Sequence, residues 1–275
     1  MKKAFVIGHP IAHSKSPLIH QSWIAEHGLE ASYEAIEIAP SDLAGLVARL
    51  RAGEFVGGNV TIPHKEAVMG LINEVDPLAR RIGAVNTLVA DNGKIWGTNT
   101  DYIGFLANLD AQASGWDEAL GSAVVIGAGG ASRAILAALV DRGVPRIELI
   151  NRTLGRARAL ADEFGPTIVP GPLSEIGSRM AGAGLLVNTS AVGMKGTRFN
   201  GLDLSPLAQG AVVTDIVYTP LITPLLAQAR AEGFAIVDGL GMLLYQAVPG
   251  FKAWFGVEPA VTEGLRNRVL AALGQ

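Results

Sequence analysis

At 275 residues the chain is about twice the commonest domain size, so two domains are expected, each burying its own core. Its 22 basic and 25 acidic residues are interspersed and sum to −3, which provides no basic stripe for nucleic acid or an anionic membrane. Zero cysteines exclude a disulfide framework and thiolate metal sites, so the expected setting is cytoplasmic.

The opening MKKAFVIGHP has too short an apolar run for a signal peptide and reads as a first strand. Apolar stretches such as AILAALV and GLGMLLYQAV fall far short of the roughly 20 residues a membrane helix needs. From there KAFVIG, PLIHQSWIAEHG, SYEAIEI, SDLAGLVARLRAG and FVGGNVTIP alternate strand and helix patterns, the signature of a mainly parallel α/β sheet. Ser41 is the expected N-cap of the second helix. AVNTLVADNGKIWGTNTD predicts a hairpin turning at Asn92 and Gly93, an antiparallel addition to that sheet.

A helical stretch from Tyr102 to about Trp116 leads into a second sheet system at Ser122. There SAVVIG, RIELIN, LLVNTS, AVVTDIV and FAIVDG read as strands, with helices at ASRAILAALVDRG and LGRARALADEFG: a doubly wound, Rossmann-type pattern. The tail after Gly239 is helical with no strand to join. The expected organisation is therefore an α/β substrate domain over 1–101, a dinucleotide-binding domain over 102–238, and helices over 239–275 packing back on the first.

Gly127-Ala128-Gly129-Gly130-Ala131 follows the strand SAVVI at once and opens a helix, the context in which a glycine turn lets a pyrophosphate approach helix N–H groups. Ser132 stands where the strict fingerprint has a third glycine. About 20 residues on, where an NAD enzyme places a carboxylate, the strand ends in Asn151, Arg152 and Thr153, with Arg156 one turn later. Two guanidinium groups suit a 2′-phosphate and select NADP(H). Among acid–base candidates, Lys65 follows NVTIP at the carboxyl end of a strand and Asp101 closes the hairpin; a lysine–carboxylate pair can share a substrate hydroxyl. Pro10, between His9 and His13, prevents a shared helical face, and no metal is expected.

The series GHPIAHSKSP, GGNVTIPHK, GAVNT, GTNTDYIGF, GAGGASRA, NRT, NTSAVGM, DIVYTPLITPLL and GLGMLLYQA resembles, in order and over nearly the whole chain, the motifs of shikimate dehydrogenases. The resemblance implies reversible reduction of 3-dehydroshikimate to shikimate with NADPH, on the route to chorismate and the aromatic amino acids. It implies that Ser14 and Ser16 hold the substrate carboxylate, that Thr61, Asn86, Asp101 and Gln246 read the ring hydroxyls, and that Tyr218 approaches the substrate. Lys65 is the implied acid–base group, oriented by Asp101, while Ile216, Gly239 and Met242 are implied to lie at the nicotinamide.

A quinate or dual quinate/shikimate dehydrogenase is expected to carry an acidic residue near position 151, where NRT stands. A catalytically silent binding member is expected to lose the lysine–aspartate pair, which is present. A methylene-tetrahydrofolate dehydrogenase lacks the HSKSP and NTD motifs. The oligomeric state, monomer or homodimer, is left open.

Overall fold

The unbroken apolar run after Lys3 makes Lys2–Gly8 a strand (β1) buried from Ala4 onward, as a central parallel strand must be. This computed structural model describes residues 1–118 and 120–275. The first half continues through helix α1 (Ser16–Glu26), β2 (Ala31–Glu37), α2 (Leu43–Arg51), β3 (Gly57–Val60), a two-residue β4 (Glu74–Val75), α3 (Pro77–Ile82), β5 (Thr87–Asp91), β6 (Lys94–Thr98) and α4 (Asp101–Gln112). The sheet runs β2-β1-β3-β5-β6-β4, with β5 antiparallel to both neighbours. Asn92 and Gly93 join β5 to β6 with φ of 49° and 76°, the left-handed pair of a two-residue hairpin turn.

One expectation fails. Ser41 lies inside a short 3-10 turn, Pro40–Asp42, and Asp42 precedes α2 with no side-chain cap. Pro40, with its fixed φ, starts that turn early and moves the helix boundary past Ser41.

The second sheet system has β7 (Ala123–Ile126), α5 (Gly130–Asp141), β8 (Ile147–Asn151), α6 (Leu154–Phe164), β9 (Ile168–Pro172), α7 (Ile176–Arg179), β10 (Leu185–Asn188), β11 (Val212–Asp215), α8 (Pro224–Ala231) and β12 (Ala235–Val237). All its strands are parallel in the order β12-β11-β10-β7-β8-β9, the doubly wound arrangement. Strand β9 is additional to the sequence expectation. Pro170 and Pro172 argue against a strand, yet β9 is an edge, where a missing N–H is tolerated.

The chain closes with α9 (Leu240–Tyr245), α10 (Ala247–Phe255) and α11 (Glu263–Ala272). It divides into two units: Met1–Ile103 with Leu244–Gly274, and Gly104–Leu243 with Gln275. In the first unit, α2 lays Leu43, Leu46, Val47 and Leu50 against Phe5, Ile7 and Val60. Elsewhere in that unit α1 meets α10 and α11, and Trp23, Tyr33, Phe251 and Trp254 are at most 2 % exposed. Trp254 Nε1 donates to the Leu88 carbonyl at 2.8 Å and Trp23 Nε1 to that of Ala260 at 3.0 Å, so the closing helices are fastened by hydrogen bonds as well as by apolar area. A separate core of Val124, Ile150, Leu186, Val213 and Leu226 fills the second unit.

Candidate active site

In the first unit, the chemistry gathers past the carboxyl ends of β3 and β6. Strand β3 ends at Val60, and Thr61, half-buried, is held by backbone bonds from its N–H to the Ile7 carbonyl (2.9 Å) and from the His64 N–H to its carbonyl (2.9 Å). The loop brings Lys65 back to the sheet, where its carbonyl accepts from the Val85 N–H at 2.8 Å. Asp101 opens α4 and its backbone N–H donates to Asn99 Oδ1 at 3.0 Å, while Asn99 Nδ2 donates to the Ala84 carbonyl at 3.0 Å.

The result is a three-residue cluster. Lys65 Nζ donates to Asp101 Oδ2 at 2.5 Å and Asn86 Nδ2 donates to Asp101 Oδ1 at 2.9 Å. Asn86 is 2 % exposed, so its amide is a fixed part of the wall, whereas Lys65 and Asp101 keep 23 % and 16 % of their side chains accessible. An ion pair left partly open in this way can donate or accept a proton at a hydroxyl placed against it.

Ser14 and Ser16 occupy the loop and first turn before α1, with the Ser16 N–H donating to Ser14 Oγ at 3.3 Å. That bond leaves the Ser14 hydroxyl proton free to be donated elsewhere. Gln246, the residue before α10, belongs to this same unit and is buried.

The second unit carries the glycine turn. Gly127, at φ +113°, follows β7, and a Cβ there would lie 2.7 Å from Thr189 Oγ1, so only glycine fits. Ala128 donates its N–H to Asn151 Oδ1 at 3.2 Å, tying the turn to the end of β8. At Gly129 and Gly130 a Cβ would meet nothing within 4 Å; Ala131 lies in the first turn of α5, and the helix N-terminus is left open for a phosphate. Ser132 is fully buried and its hydroxyl donates to the Gly129 carbonyl at 2.6 Å, which accounts for a serine where the fingerprint has glycine.

Beside this turn lies a cavity of about 420 Å³ that Gly127, Asn151, Arg152, Thr153 and Arg156 share with residues of the 190–199 loop. No carboxylate is among the lining residues, and both arginines are exposed. The donor set suits a nucleotide bearing an additional phosphate rather than a bare ribose diol. Leu173, Ser190, Thr197 and Phe199 also line the cavity and were not picked out from sequence. The strand-then-NTSAVGM pattern was the available signal for Ser190.

At the end of β11, Asp215 is fully buried and accepts from Asn188 Nδ2 (2.9 Å), the Val217 N–H (3.0 Å) and Thr223 Oγ1 (2.8 Å). Burial raises its pKa above the usual carboxylate value, and those three donors offset part of the rise. The cluster fixes the segment carrying Ile216 and Tyr218, whose phenol is likewise raised by burial. Gly239 lies so close to this segment that a Cβ would stand 2.6 Å from the Ile216 carbonyl carbon and oxygen. Met242, in α9, is half-buried in the same unit.

Three family models match in succession: a shikimate dehydrogenase substrate binding domain over residues 6–88, shikimate / quinate 5-dehydrogenase over 112–217, and a shikimate 5′-dehydrogenase C-terminal domain over 239–268. A shikimate dehydrogenase (NADP(+)) from Sinorhizobium fredii is 53 % identical over 269 residues, 97 % of this chain and 94 % of that one. Shikimate 5-dehydrogenase from Thermus thermophilus, solved in complex with NADP(H) and shikimate, is 38 % identical with a TM-score of 0.88, covering 99 % of this chain and 100 % of that one. Quinate dehydrogenase from Corynebacterium glutamicum, solved with NAD, is 33 % identical with a TM-score of 0.90, covering 98 % and 99 %. With the motifs in order, the lysine–aspartate pair formed and the likeness sustained from end to end, the chain belongs to the shikimate dehydrogenase family.

Proposed function

We propose that the protein catalyses the reversible reduction of 3-dehydroshikimate to shikimate with NADPH, in the biosynthesis of chorismate and the aromatic amino acids. The observation that carries this reading is the Lys65–Asp101 pair at 2.5 Å, with Asn86 occupying the second carboxylate oxygen.

In the reduction, Lys65 Nζ donates a proton to the oxygen of the forming alcohol; in oxidation the same nitrogen takes it back. Asp101 orients Nζ and the hydroxyl together, and Asn86 prevents the carboxylate from turning away. Ser14 and Ser16 offer hydroxyl donors to the substrate carboxylate, while Thr61, Asn86 and Gln246 supply the polar contacts that select a polyol ring. A wall built to bond hydroxyls discriminates strongly against analogues lacking them, because its own groups are then left unpaired.

NADP(H), when bound, supplies or accepts the hydride. Its pyrophosphate suits the turn from Gly127 to Ala131, and its 2′-phosphate suits Arg152 and Arg156, with Asn151 and Thr153 at the same strand end. Ile216, Gly239 and Met242 are assigned to the nicotinamide portion, with Gly239 held there by its close approach to Ile216.

The test is nicotinamide absorbance with purified protein, pairing shikimate or quinate with NADP or NAD. Turnover of shikimate with NADP well above every other pair is expected. Preference for NAD or quinate would overturn the specificity, and no turnover with any pair would leave a binding protein.

A further inference from the structure

The side chains behind Asp101 form one line of hydrogen bonds whose direction is set by backbone groups. Asn86 Oδ1 accepts the Thr100 backbone N–H at 2.8 Å, and since that group can only donate, Asn86 must present Nδ2 to Asp101. Asn59 Nδ2 donates to the Asn86 carbonyl at 3.2 Å, which can only accept, so Asn59 turns Oδ1 toward the Tyr33 phenol 2.6 Å away. Tyr33 is therefore the donor in that bond. Asn59 Nδ2 also donates to Thr87 Oγ1 at 3.1 Å. The Thr87 proton then passes to Asn86 Oδ1, directly at 3.0 Å or by way of Thr100 Oγ1.

Followed from Tyr33 through Asn59, Thr87 and Asn86, each residue donates to the next and the last donates to the Asp101 carboxylate. The line is sealed from water: Tyr33 is 0 % exposed, Asn59 5 %, Thr87 1 % and Asn86 2 %. In such surroundings each bond polarises the next, and a missing donor costs more than it does at a surface. At the far end burial holds the Tyr33 phenol well above its ordinary pKa, so it remains a donor. His20 stacks on the Tyr33 ring at 4.0 Å and fixes its plane.

We propose that Tyr33, acting through Asn59 and Thr87, is a positioning residue for the acid–base pair, holding the Asp101 carboxylate through Asn86. With no exposed surface it reaches no substrate. Removing its proton leaves Asn59 Oδ1 buried without a donor; Thr87 is then drawn away from Asn86, and the amide that holds Asp101 in place is loosened. The inference rests on the roles proposed above for Lys65 and Asp101.

The experiment uses the full chain and NADP-linked oxidation of shikimate, beginning with the wild type. Tyr33→Phe, which keeps the ring, is expected to lower kcat about tenfold with the Michaelis constant for NADP unchanged. In an Asp101→Asn background the same substitution is expected to have no further effect, which a merely structural tyrosine would not produce. Should Tyr33→Phe fail to fold, Thr87→Val is expected to show the tenfold loss and Thr87→Ser to retain activity. A folded Tyr33→Phe with wild-type kcat, an equal loss in both backgrounds, or Thr87→Val as active as Thr87→Ser would each overturn the proposal. An inactive wild type would overturn the reading of the site and this inference with it.

Discussion

Lys65 and Asp101, 36 residues apart in the chain, meet with Nζ 2.5 Å from Oδ2 while each keeps part of its surface open to solvent. Lys65→Ala removes the ammonium proposed as proton donor but leaves the serine loop and Asn86 in place. Turnover is expected to fall roughly 10²–10⁴-fold, with a far smaller change in shikimate affinity. Steady-state kinetics alongside shikimate binding to the variant separate the two; a kcat within a few-fold of wild type would remove Lys65 from the chemistry.

Arg152 lines the cavity beside Gly127 without a carboxylate among the lining residues. Arg152→Ala should raise the Michaelis constant for NADP about tenfold or more, the loss of a charge-assisted contact of about 1.5–3 kcal/mol. The constant for NAD should hardly move. Parallel titrations with the two nucleotides provide the comparison, and equal losses for both would argue against a 2′-phosphate contact.

Gly127→Ala forces a side chain into a backbone at φ +113° and within 2.7 Å of Thr189 Oγ1. A destabilisation of about 1–3 kcal/mol is expected, together with weaker NADP binding as the turn shifts. Denaturant unfolding measures the first and nucleotide titration the second.

His20 is fully buried among Tyr33, Trp23, Phe251 and Trp254, and neither of its ring nitrogens has a hydrogen-bond partner. Desolvation lowers its pKa from 6.5 to about 3, an effect the nearby Asn59 amide offsets only in part. The folded chain therefore refuses a proton that the unfolded chain accepts below pH 6.5, so this group's penalty is absent above that value and grows as the pH falls toward 3. At pH 5 it amounts to about 2 kcal/mol. Urea unfolding at pH 7.5 and pH 5 should show a loss of stability in acid that His20→Phe reduces by about that amount; an unchanged difference would mean that other groups control it.

The two-sheet plan was legible because parallel strands buried on both faces read as short apolar runs, and the hairpin because Asn92 and Gly93 mark their turn. Strand β9 was hidden by Pro170 and Pro172, which only its edge position tolerates, and β4 is too short to carry a pattern. Candidate residues held in linear motifs, such as Lys65 in TIPHK and Asp101 in NTD, could be named in advance, and their side chains do pair. Tyr33, Asn59 and Thr87 could not, because their hydrogen bonds join partners brought together only when β2, β3 and β5 align, and no periodicity records which polar side chains will share one.

The closing helices have a consequence for biosynthesis on the ribosome. Residues 104–243 are contiguous, so the second unit can complete its core as soon as they emerge, whereas the first must wait for Trp254 to reach the Leu88 carbonyl and cover the aromatic residues around His20. The half made first is thus finished last, and until α10 docks the apolar side chains that it covers on β1, β3 and α1 are exposed to whatever holds nascent chains apart.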